Sequence, residues 1–358
     1  MDYKLLSTVK APSDIKKMND NELNELCFEI RKKMLETVSK NGGHLSSNLG
    51  AVELTVALHK VFDSPKDSII FDVGHQCYAH KLITGRYDKF DTLRKKGGLS
   101  GFCRPNESEH DAFYSGHSST AVSAGLGVAT ANKLLNSDNY TVTVIGDGSF
   151  TGGMVYEALN NGGRSKTKHI IILNDNKMSI SENVGAFAKY LAVIRSKPGY
   201  YNFKASTERT LNKIPSVGKK ITEKLYDLKT DIKNKLYSQS TFFEDLGYRY
   251  MGPIDGHDIS VLVDALEAAK KVNAPVLLHV NTVKGKGYKF AEEDPSRFHG
   301  VGPFDLKTGK TKPSSDCFSE KLGEYLCKYA PDNGKICAIT AAMGLGTGLE
   351  SFRKKFPD

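Results

Sequence analysis

The stretch VIGDGS at residues 144–149 and its companion ILNDN at residues 172–176 decide the fold of this chain. Each begins with apolar, largely β-branched residues, which predict a buried strand, and continues into small or polar residues where that strand ends. Open parallel sheets bind their ligands at the carboxyl ends of their strands. The two stretches therefore predict parallel strands that carry a ligand site at one edge of a sheet.

Two oxygen donors follow these predicted strands. Asp147 supplies a carboxylate, and Asn176 supplies a neutral amide oxygen. With a backbone carbonyl, water and two diphosphate oxygens, they can complete the octahedral oxygen shell that Mg²⁺ demands. Gly146 and Gly148 allow the backbone to approach a diphosphate closely. A Gly-Asp-Gly turn alone occurs often by chance, but the two stretches together, each after a strand, favour a Mg²⁺–diphosphate site.

Apolar runs that predict strands alternate with helical patterns along the rest of the chain. The predicted strands are residues 69–73, 141–145, 170–173, 276–280 and 336–340, and the helical patterns cover residues 19–40, 51–62, 118–135, 153–161, 259–272 and 316–329. Repeated strand–helix–strand units imply a parallel sheet covered on both faces. We therefore predict an α/β fold with a mainly parallel central sheet flanked by helices on both faces.

Two segments interrupt this alternation. Residues 185–240 are a long basic insertion without strand patterns, expected to hold short helices such as residues 219–236, and residues 308–315 are a polar linker. We accordingly predict a first domain over residues 1–307 that contains the insertion. The beginning of a second α/β domain is predicted over residues 316–358.

Composition and charge exclude several classes of partner. The net charge of +9 comes from 50 Lys and Arg against 41 Asp and Glu, and the basic insertion carries no nucleic-acid-binding motif interleaved with aromatic residues. No apolar run approaches the roughly 20 residues that cross a bilayer, and the first residues have no leader pattern. The six cysteines form no C-x-x-C pair, so we expect reduced thiols and no zinc site. We expect a soluble, cytoplasmic protein without nucleic-acid or membrane partners.

Further motifs identify a family. In chain order they are GGHLSSNLG (42–50), DVGHQ (72–76), SGHSS (115–119), SISENVG (179–185), PIDGHD (253–258) and KGKGY (284–288). Together with the two strand-end stretches, this series resembles the 1-deoxy-D-xylulose-5-phosphate synthase family of thiamine diphosphate enzymes. The resemblance covers nearly the whole chain. Transketolases share the general plan, but the Ser-Glu-Asn segment and the Phe298-His299 pair favour the synthase family.

The resemblance implies a thiamine diphosphate-binding fold, the cofactors thiamine diphosphate and Mg²⁺, and a set of site residues. The implied metal ligands are Asp147, Asn176 and the carbonyl oxygen of Met178. The implied cofactor contacts are His75, Gly116, His117, Ser118, Gly148, Ser149, Asn176 and Tyr288. His44 and His299 are expected near the reacting atoms, where an imidazole can donate a hydrogen bond or move a proton.

The implied activity is that of a transferase of the transketolase-like class. It joins pyruvate to D-glyceraldehyde 3-phosphate, releases CO₂ and forms 1-deoxy-D-xylulose 5-phosphate, a precursor for isoprenoids, thiamine and pyridoxal. The family acts as a homodimer and uses a glutamate from its second domain, which we expect beyond Asp358. We therefore interpret the sequence as an N-terminal portion that forms no product alone.

Two other functions fit the same sequence. The chain can be the cofactor-binding subunit of a split transketolase, which would use ketose phosphates instead of pyruvate, or a non-catalytic remnant that binds cofactor. Among the remaining polar residues, His110 and His169 are expected to be structural, and Asp258 can cap a helix beside His257. Glu53 and Glu182 have no acid–base partner that the sequence reveals.

Overall fold

The computed structural model describes residues 3–177, 186–195, 241–311, 317–340 and 343–357. Within these residues, five parallel strands form one sheet in the order β1-β2-β3-β5-β4. The strands are β1 (Ser68–Phe71), β2 (Thr141–Gly146), β3 (His169–Asp175), β4 (Arg249–Asp255) and β5 (Val276–Asn281). Parallel neighbours require crossover connections, which helices usually supply.

Helices surround this sheet. In chain order they are α1 (Pro12–Ile15), α2 (Asp20–Asn41), α3 (Ser46–Gly50), α4 (Val52–Val61), α5 (Tyr78–Lys81), α6 (Ala121–Leu134), α7 (Gly153–Gly162), α8 (Ala186–Arg195), α9 (Phe242–Asp245), α10 (Ile259–Lys270), α11 (Lys289–Glu293), α12 (Phe318–Tyr329) and α13 (Glu350–Lys355). None of the described helices is both long enough and apolar enough to cross a bilayer.

Alternate residues of each strand point into two different apolar cores. Val144 and Ile172 belong to the larger core, which also contains the apolar sides of α2, α4 and α10. Ile145 and Leu173 belong to the second core, where α7, α8 and α9 contribute. Because every residue of β3 is buried, the strand shows a continuous apolar run instead of alternation. The predicted α/β fold, with helices on both faces of a parallel sheet, is confirmed.

The strand register brings the predicted site to one edge of the sheet. Gly146 of β2 pairs with Asn174 of β3, and Asp175 pairs with Asn281 of β5. The residues that follow these positions therefore leave the sheet side by side at its carboxyl edge. This is the edge where a parallel sheet places its ligand sites.

One strand was missed by the sequence patterns. β4 contains Gly252 and Pro253, and its pairing with β5 shifts between Met251 and Ile254. Proline cannot donate to a strand ladder and is tolerated in edge strands and bulges. β4 lies at the edge of the sheet, so it accommodates residues that argue against a strand in the sequence.

The predicted strand at residues 336–340 is wrong. These residues form no strand, and the side chain of Ile339 is 94% exposed. A single apolar run needs a neighbouring strand for its hydrogen bonds, and the described residues around it are the helices α12 and α13, which contact each other. The predicted boundaries of the two domains stay predictions.

Helix starts agree with the sequence. Asn19 accepts hydrogen bonds from the N–H groups of Asn21 and Glu22, and the Glu22 carboxylate accepts from Asn19, which completes the expected capping box of α2. Asp258 caps α10 by accepting from the N–H of Val261 at 3.0 Å. Most of the basic insertion, including residues 219–236, lies outside the described residues.

Candidate functional site

Asp147 and Asn176 meet at the carboxyl edge of the sheet. The backbone N–H of Asn176 donates a hydrogen bond to the Asp147 carboxylate, whose side chain also bonds to Asp175. Asp147 is buried, whereas Asn176 is half-buried. The structure thus brings together the two residues that the sequence proposed as metal ligands. Met178, the third, lies outside the described residues.

The electrostatics of Asp147 favour a bound cation. The pKa of Asp147 is raised to about 7, first by burial and then by the nearby charge of Asp175, while Lys284 opposes the shift. Burial in turn lowers the pKa of Lys284 to about 8, against the attraction of Asp147. Two carboxylates this close cannot both ionise without cost. A divalent cation would remove that cost, so the charges of Asp147 and Asp175 suit a metal site.

Asp72 connects the 115–119 loop to the Gly148–Ser149 turn that follows β2. Its two carboxylate oxygens accept from the N–H groups of Ser119 and Ala121, both at 3.0 Å, and the Ser149 side chain also bonds to it. The Ser119 hydroxyl donates to the Ser149 carbonyl at 2.8 Å. Burial raises the pKa of Asp72, and these hydrogen bonds oppose that shift. Asp72 therefore fixes the Gly148–Ser149 turn against the 115–119 loop, a role that the sequence did not reveal.

The 115–119 loop presents Gly116, His117 and Ser118 to solvent. Gly116 has φ of +146°, and a Cβ placed there would meet open space. Gly146 likewise has no atom within 4 Å of the place where a Cβ would lie. The predicted cofactor contacts of this loop therefore border open space, as a ligand site requires.

Three histidines form a cluster beside this edge. The ring centroids of His44 and His75 are 5.7 Å apart, those of His44 and His299 are 5.7 Å apart, and those of His75 and His299 are 5.2 Å apart. The Nδ1 atoms of His44 and His75 are shielded from solvent and have no hydrogen-bond partner within the described ranges. Buried polar atoms are normally paired, so these two nitrogens are available to a ligand.

The histidine cluster is uncharged near neutral pH. Burial lowers the pKa of His44 to about 4, with Arg94 adding to the shift, and lowers the pKa of His299 to about 3, with Lys284 adding. Burial also holds the pKa of His75 well below its ordinary value. Neutral imidazoles can accept as well as donate hydrogen bonds, which suits proton movement at the face of a substrate.

Local sequence explains how the cluster is built. The Asn48 amide donates to the carbonyls of His44 and His75 at 2.7 and 2.6 Å, and its oxygen accepts from the N–H of Tyr78 at 2.8 Å. Gly43 lies against Tyr78, where a Cβ would come within 2.8 Å of the hydroxyl oxygen. The Tyr78 hydroxyl accepts from the N–H of His44. Asn48 and Tyr78 are thus functional supports that sequence reasoning missed, although both adjoin its histidine motifs.

Tyr288 lies in an aromatic wall behind the cluster. Its ring contacts Phe290, Phe298 and Phe304, and its hydroxyl donates to the Leu306 carbonyl at 3.1 Å. The wall supports the backbone that carries His299. Contact between Tyr288 and a cofactor stays a prediction.

Glu53 has partners that the sequence did not show. The Arg31 guanidinium forms two hydrogen bonds with its carboxylate, and His257 Nδ1 lies 3.0 Å from Glu53 Oε2. His257 Nε2 accepts from the N–H of Val283, next to Lys284. The interpretation of Glu53 as a carboxylate without a partner is corrected: it fastens α2 and α4 to the loop after β5.

Glu53→Gln is expected to remove a pH-dependent part of the stability. Burial alone would raise the pKa of Glu53, but the bonds from His257 and Arg31 outweigh it and lower the pKa to about 2, below the ordinary 4.5 of a glutamate. Stability from this shift is present above the unfolded pKa and is lost as pH falls towards the folded pKa, a contribution of about 3 kcal/mol at most. Urea unfolding should therefore show wild type and E53Q converging below about pH 5.

The exposed pair Lys289–Glu293 supplies the control for this experiment. E293Q should change the free energy of unfolding by less than about 1 kcal/mol across the same pH series. A constant difference between wild type and E53Q from neutral to acidic pH would contradict the assignment.

A second buried ion-pair cluster is structural. Asp111 accepts from both Arg86 guanidinium nitrogens at 2.8–2.9 Å, and its Oδ1 lies 3.0 Å from His80 Nε2. His80 Nδ1 is occupied by His59 at 2.8 Å. His80, Cys103 and Asp111 lie close enough to share an ion, but the bound guanidinium and occupied nitrogens make this an ion-pair cluster. The expected structural roles of His169 and His110 agree with their bonds to Thr143 and Ser64.

Comparison with solved structures defines the class of fold. The chain superposes on a transketolase from Campylobacter jejuni with a TM-score of 0.56 at 19% identity, over 94% of this chain and 48% of that one. It superposes on a transketolase mutant from Pichia stipitis with the same TM-score and identity, over 94% and 47%. The fold is therefore the α/β fold of the transketolases.

The sequence narrows this class to one family. The family model described as 1-deoxy-D-xylulose-5-phosphate synthase matches residues 6–282. The chain is 52% identical over 357 residues to the 1-deoxy-D-xylulose-5-phosphate synthase of Clostridium kluyveri, and 51% identical over 353 residues to that of Symbiobacterium thermophilum. This chain belongs to the 1-deoxy-D-xylulose-5-phosphate synthase family.

The chain corresponds to only part of the length of these relatives. These relatives match 99% of this chain, and the chain spans 57% and 54% of their respective lengths. The family match favours the predicted synthase over the split transketolase subunit.

Proposed function

We propose that this chain binds thiamine diphosphate through Mg²⁺ and serves the condensation of pyruvate with D-glyceraldehyde 3-phosphate to 1-deoxy-D-xylulose 5-phosphate and CO₂. The single observation that carries the proposal is the convergence of Asp147 and Asn176 at the carboxyl edge of the sheet, beside three neutral histidines. The family match supports the reaction class.

The residues present fit the proposed group. Asp147 and Asp175 are two carboxylates in contact, a donor set that a divalent cation stabilises. The shielded Nδ1 atoms of His44 and His75 need hydrogen-bond partners. A Cβ at Gly146 would meet open space, which leaves room for a diphosphate close to the backbone.

When bound, thiamine diphosphate supplies the nucleophilic carbon and the electron sink for decarboxylation. In our proposal, Asp147, Asn176 and the carbonyl oxygen of Met178 hold Mg²⁺. The proposed cofactor contacts are His75, Gly116, His117, Ser118, Gly148, Ser149, Asn176 and Tyr288.

His44 and His299 are proposed to act on the substrates. Each is a neutral imidazole, because burial lowers its pKa far below neutrality. His44 can donate a hydrogen bond to a substrate oxygen, or pass a proton to it, and its backbone is held by Asn48 and Tyr78. Phe102 packs against His44 with ring centroids 5.4 Å apart and helps exclude water. Lys284 places a positive charge near His75, His299 and Asp147, where anionic groups would gather.

The remaining features of the proposal rest on the family resemblance alone. The protein is proposed to act in the cytoplasm, as a homodimer, in the supply of precursors for isoprenoids and thiamine. Residues 1–307 would form the diphosphate-binding domain, and residues 316–358 the beginning of a pyrimidine-binding domain.

Calorimetry tests the cofactor site. Thiamine diphosphate is titrated into the chain with Mg²⁺ and, separately, with a chelator. We expect binding with Mg²⁺ and none with the chelator, because the metal joins the diphosphate to Asp147 and Asn176. Absence of binding at high ligand concentration with Mg²⁺ would overturn the proposal.

A second experiment tests the reaction. A chimera joins this chain to the remaining length of the Clostridium kluyveri relative, and donors are compared by product analysis. We expect CO₂ release from pyruvate in the presence of D-glyceraldehyde 3-phosphate. Preference for a ketose phosphate donor would instead indicate transketolase chemistry.

A further inference from the structure

A row of buried polar side chains crosses the sheet and ends at the candidate metal site. The Tyr250 hydroxyl on β4 lies 2.8 Å from Nδ1 of His279 on β5. Nε2 of His279 lies 2.9 Å from Oδ2 of Asp175, at the end of β3. Asp175 bonds to Asp147, which directly follows β2. The row therefore runs from β4 through β5 and β3 to the residue that follows β2, in the order in which these strands neighbour one another in the sheet.

Burying this row of polar side chains carries a free-energy cost. The same face of the sheet carries Ile145, Leu173 and Leu277 in its apolar core. Burying polar groups there stabilises the fold little even when each is paired, and apolar side chains of similar volume would serve at least as well. Phe243 stacks on the Tyr250 ring with centroids 5.5 Å apart and an interplanar angle of 9°, which holds the hydroxyl in place. We therefore expect the row to orient its polar side chains and not to stabilise the fold.

Both carboxylate oxygens of Asp175 are fixed. A hydrogen on Nε2 of His279 donates to Oδ2 and leaves Nδ1 to accept from the Tyr250 hydroxyl, which satisfies both ring nitrogens. Oδ1 accepts from the N–H of Lys177 at 3.1 Å. Since Lys177 follows Asn176, this bond closes the turn that carries Asn176. Asp175 therefore orients Asp147 through a contact between their side chains, and Asn176 through the backbone of its turn.

We propose that His279 and Tyr250 are positioning residues for the metal site, acting through Asp175 on the side chain of Asp147 and the turn of Asn176. This inference rests on the proposed function. Residues behind a metal ligand commonly change metal affinity about 10- to 100-fold when they are replaced.

The chain contains a matched control for Tyr250. Thr143 Oγ1 on β2 lies 2.9 Å from Nε2 of His169 on β3, and both residues are buried in the same sheet. Y250F and T143V each remove one hydroxyl group from a buried histidine. Only Y250F breaks a row that leads to Asp147.

The experiment measures Mn²⁺ affinity in the presence of thiamine diphosphate, from the electron paramagnetic resonance signal of free Mn²⁺, with melting temperature followed in parallel. We expect Y250F to weaken Mn²⁺ binding about tenfold and T143V to leave it unchanged. H279Q should lose a similar amount, and Y250F/H279Q should lose no more than H279Q, because both residues act through Asp175.

The possible outcomes separate this inference from the proposed function. If wild type fails to bind Mn²⁺, the proposed metal site is refuted and the inference falls with it. If wild type binds and folded Y250F binds equally well, the inference alone is overturned. Equal losses in Y250F and T143V would also overturn it, since the effect would then be a general one of core polarity. Y250F decides the matter if H279Q does not fold.

Discussion

Asp147→Asn is expected to abolish Mg²⁺-dependent binding of thiamine diphosphate while leaving the ligand-free protein as heat-stable as wild type. The amide keeps the shape of the side chain but removes the charge that a divalent cation requires. It also removes the repulsion between two neighbouring buried carboxylates, Asp147 and Asp175, which adds to burial in raising the pKa of Asp147 in the wild type. We expect affinity to fall about 100-fold or more, because the loss exceeds that seen on replacing residues behind a ligand.

Calorimetry with Mg²⁺ and thiamine diphosphate measures the affinity, and differential scanning calorimetry measures the stability. Asp138→Asn is the matched control. Asp138 forms an exposed ion pair with Lys168, and both residues precede β2 and β3, at the opposite end of these strands from the candidate site. Retention of wild-type affinity by D147N would remove Asp147 from the site. A large drop in its melting temperature would show that the carboxylate supports the fold instead.

Asp111→Ala is expected to cause the largest loss of stability among single substitutions in the ion-pair cluster. Burial alone would raise the pKa of Asp111, but the bonds from His80 and Arg86 outweigh it and hold the pKa well below its usual value. Removing the carboxylate leaves the Arg86 guanidinium and the fully buried Lys81 short of a negative partner. Breaking one side of a buried ion pair typically costs about 3–5 kcal/mol.

Urea unfolding at neutral pH measures this loss. Asp111→Asn keeps the shape and one oxygen acceptor, so it should fold and lose less than D111A. Asp138→Ala deletes an exposed carboxylate and should leave the free energy of unfolding nearly unchanged. Similar losses in D111A and D138A would mean that the buried cluster contributes no more than a surface pair.

Strand positions in the sheet centre could be predicted from sequence because those strands are buried on both faces. β2, β3 and β5 show continuous apolar runs for this reason. β4 escaped prediction because Gly252 and Pro253 interrupt its pattern. The false strand at residues 336–340 shows the converse, since an apolar run predicts a strand only where a neighbour completes its hydrogen bonds.

Some contacts of the candidate site could be predicted from the sequence, and others could not. Asp147 and Asn176 could be predicted together because parallel topology brings the ends of adjacent strands to one edge. The pairs Asp175–His279 and Glu53–His257 could not, because 104 and 204 residues separate their members. Nothing local marks such contacts. The family resemblance supplied histidines for the site, while the reason that they stay neutral, burial beside Arg94 and Lys284, required coordinates.

Because its histidines are uncharged near neutral pH, the histidine cluster responds little to the acidity of its surroundings. With His44 titrating at about 4 and His299 at about 3, its imidazoles keep one protonation state while the surroundings shift from mildly acidic to mildly alkaline. Ordinary changes in pH around neutrality therefore leave these three histidines uncharged. Any pH optimum near neutrality must then originate in the reactants or in groups outside this trio.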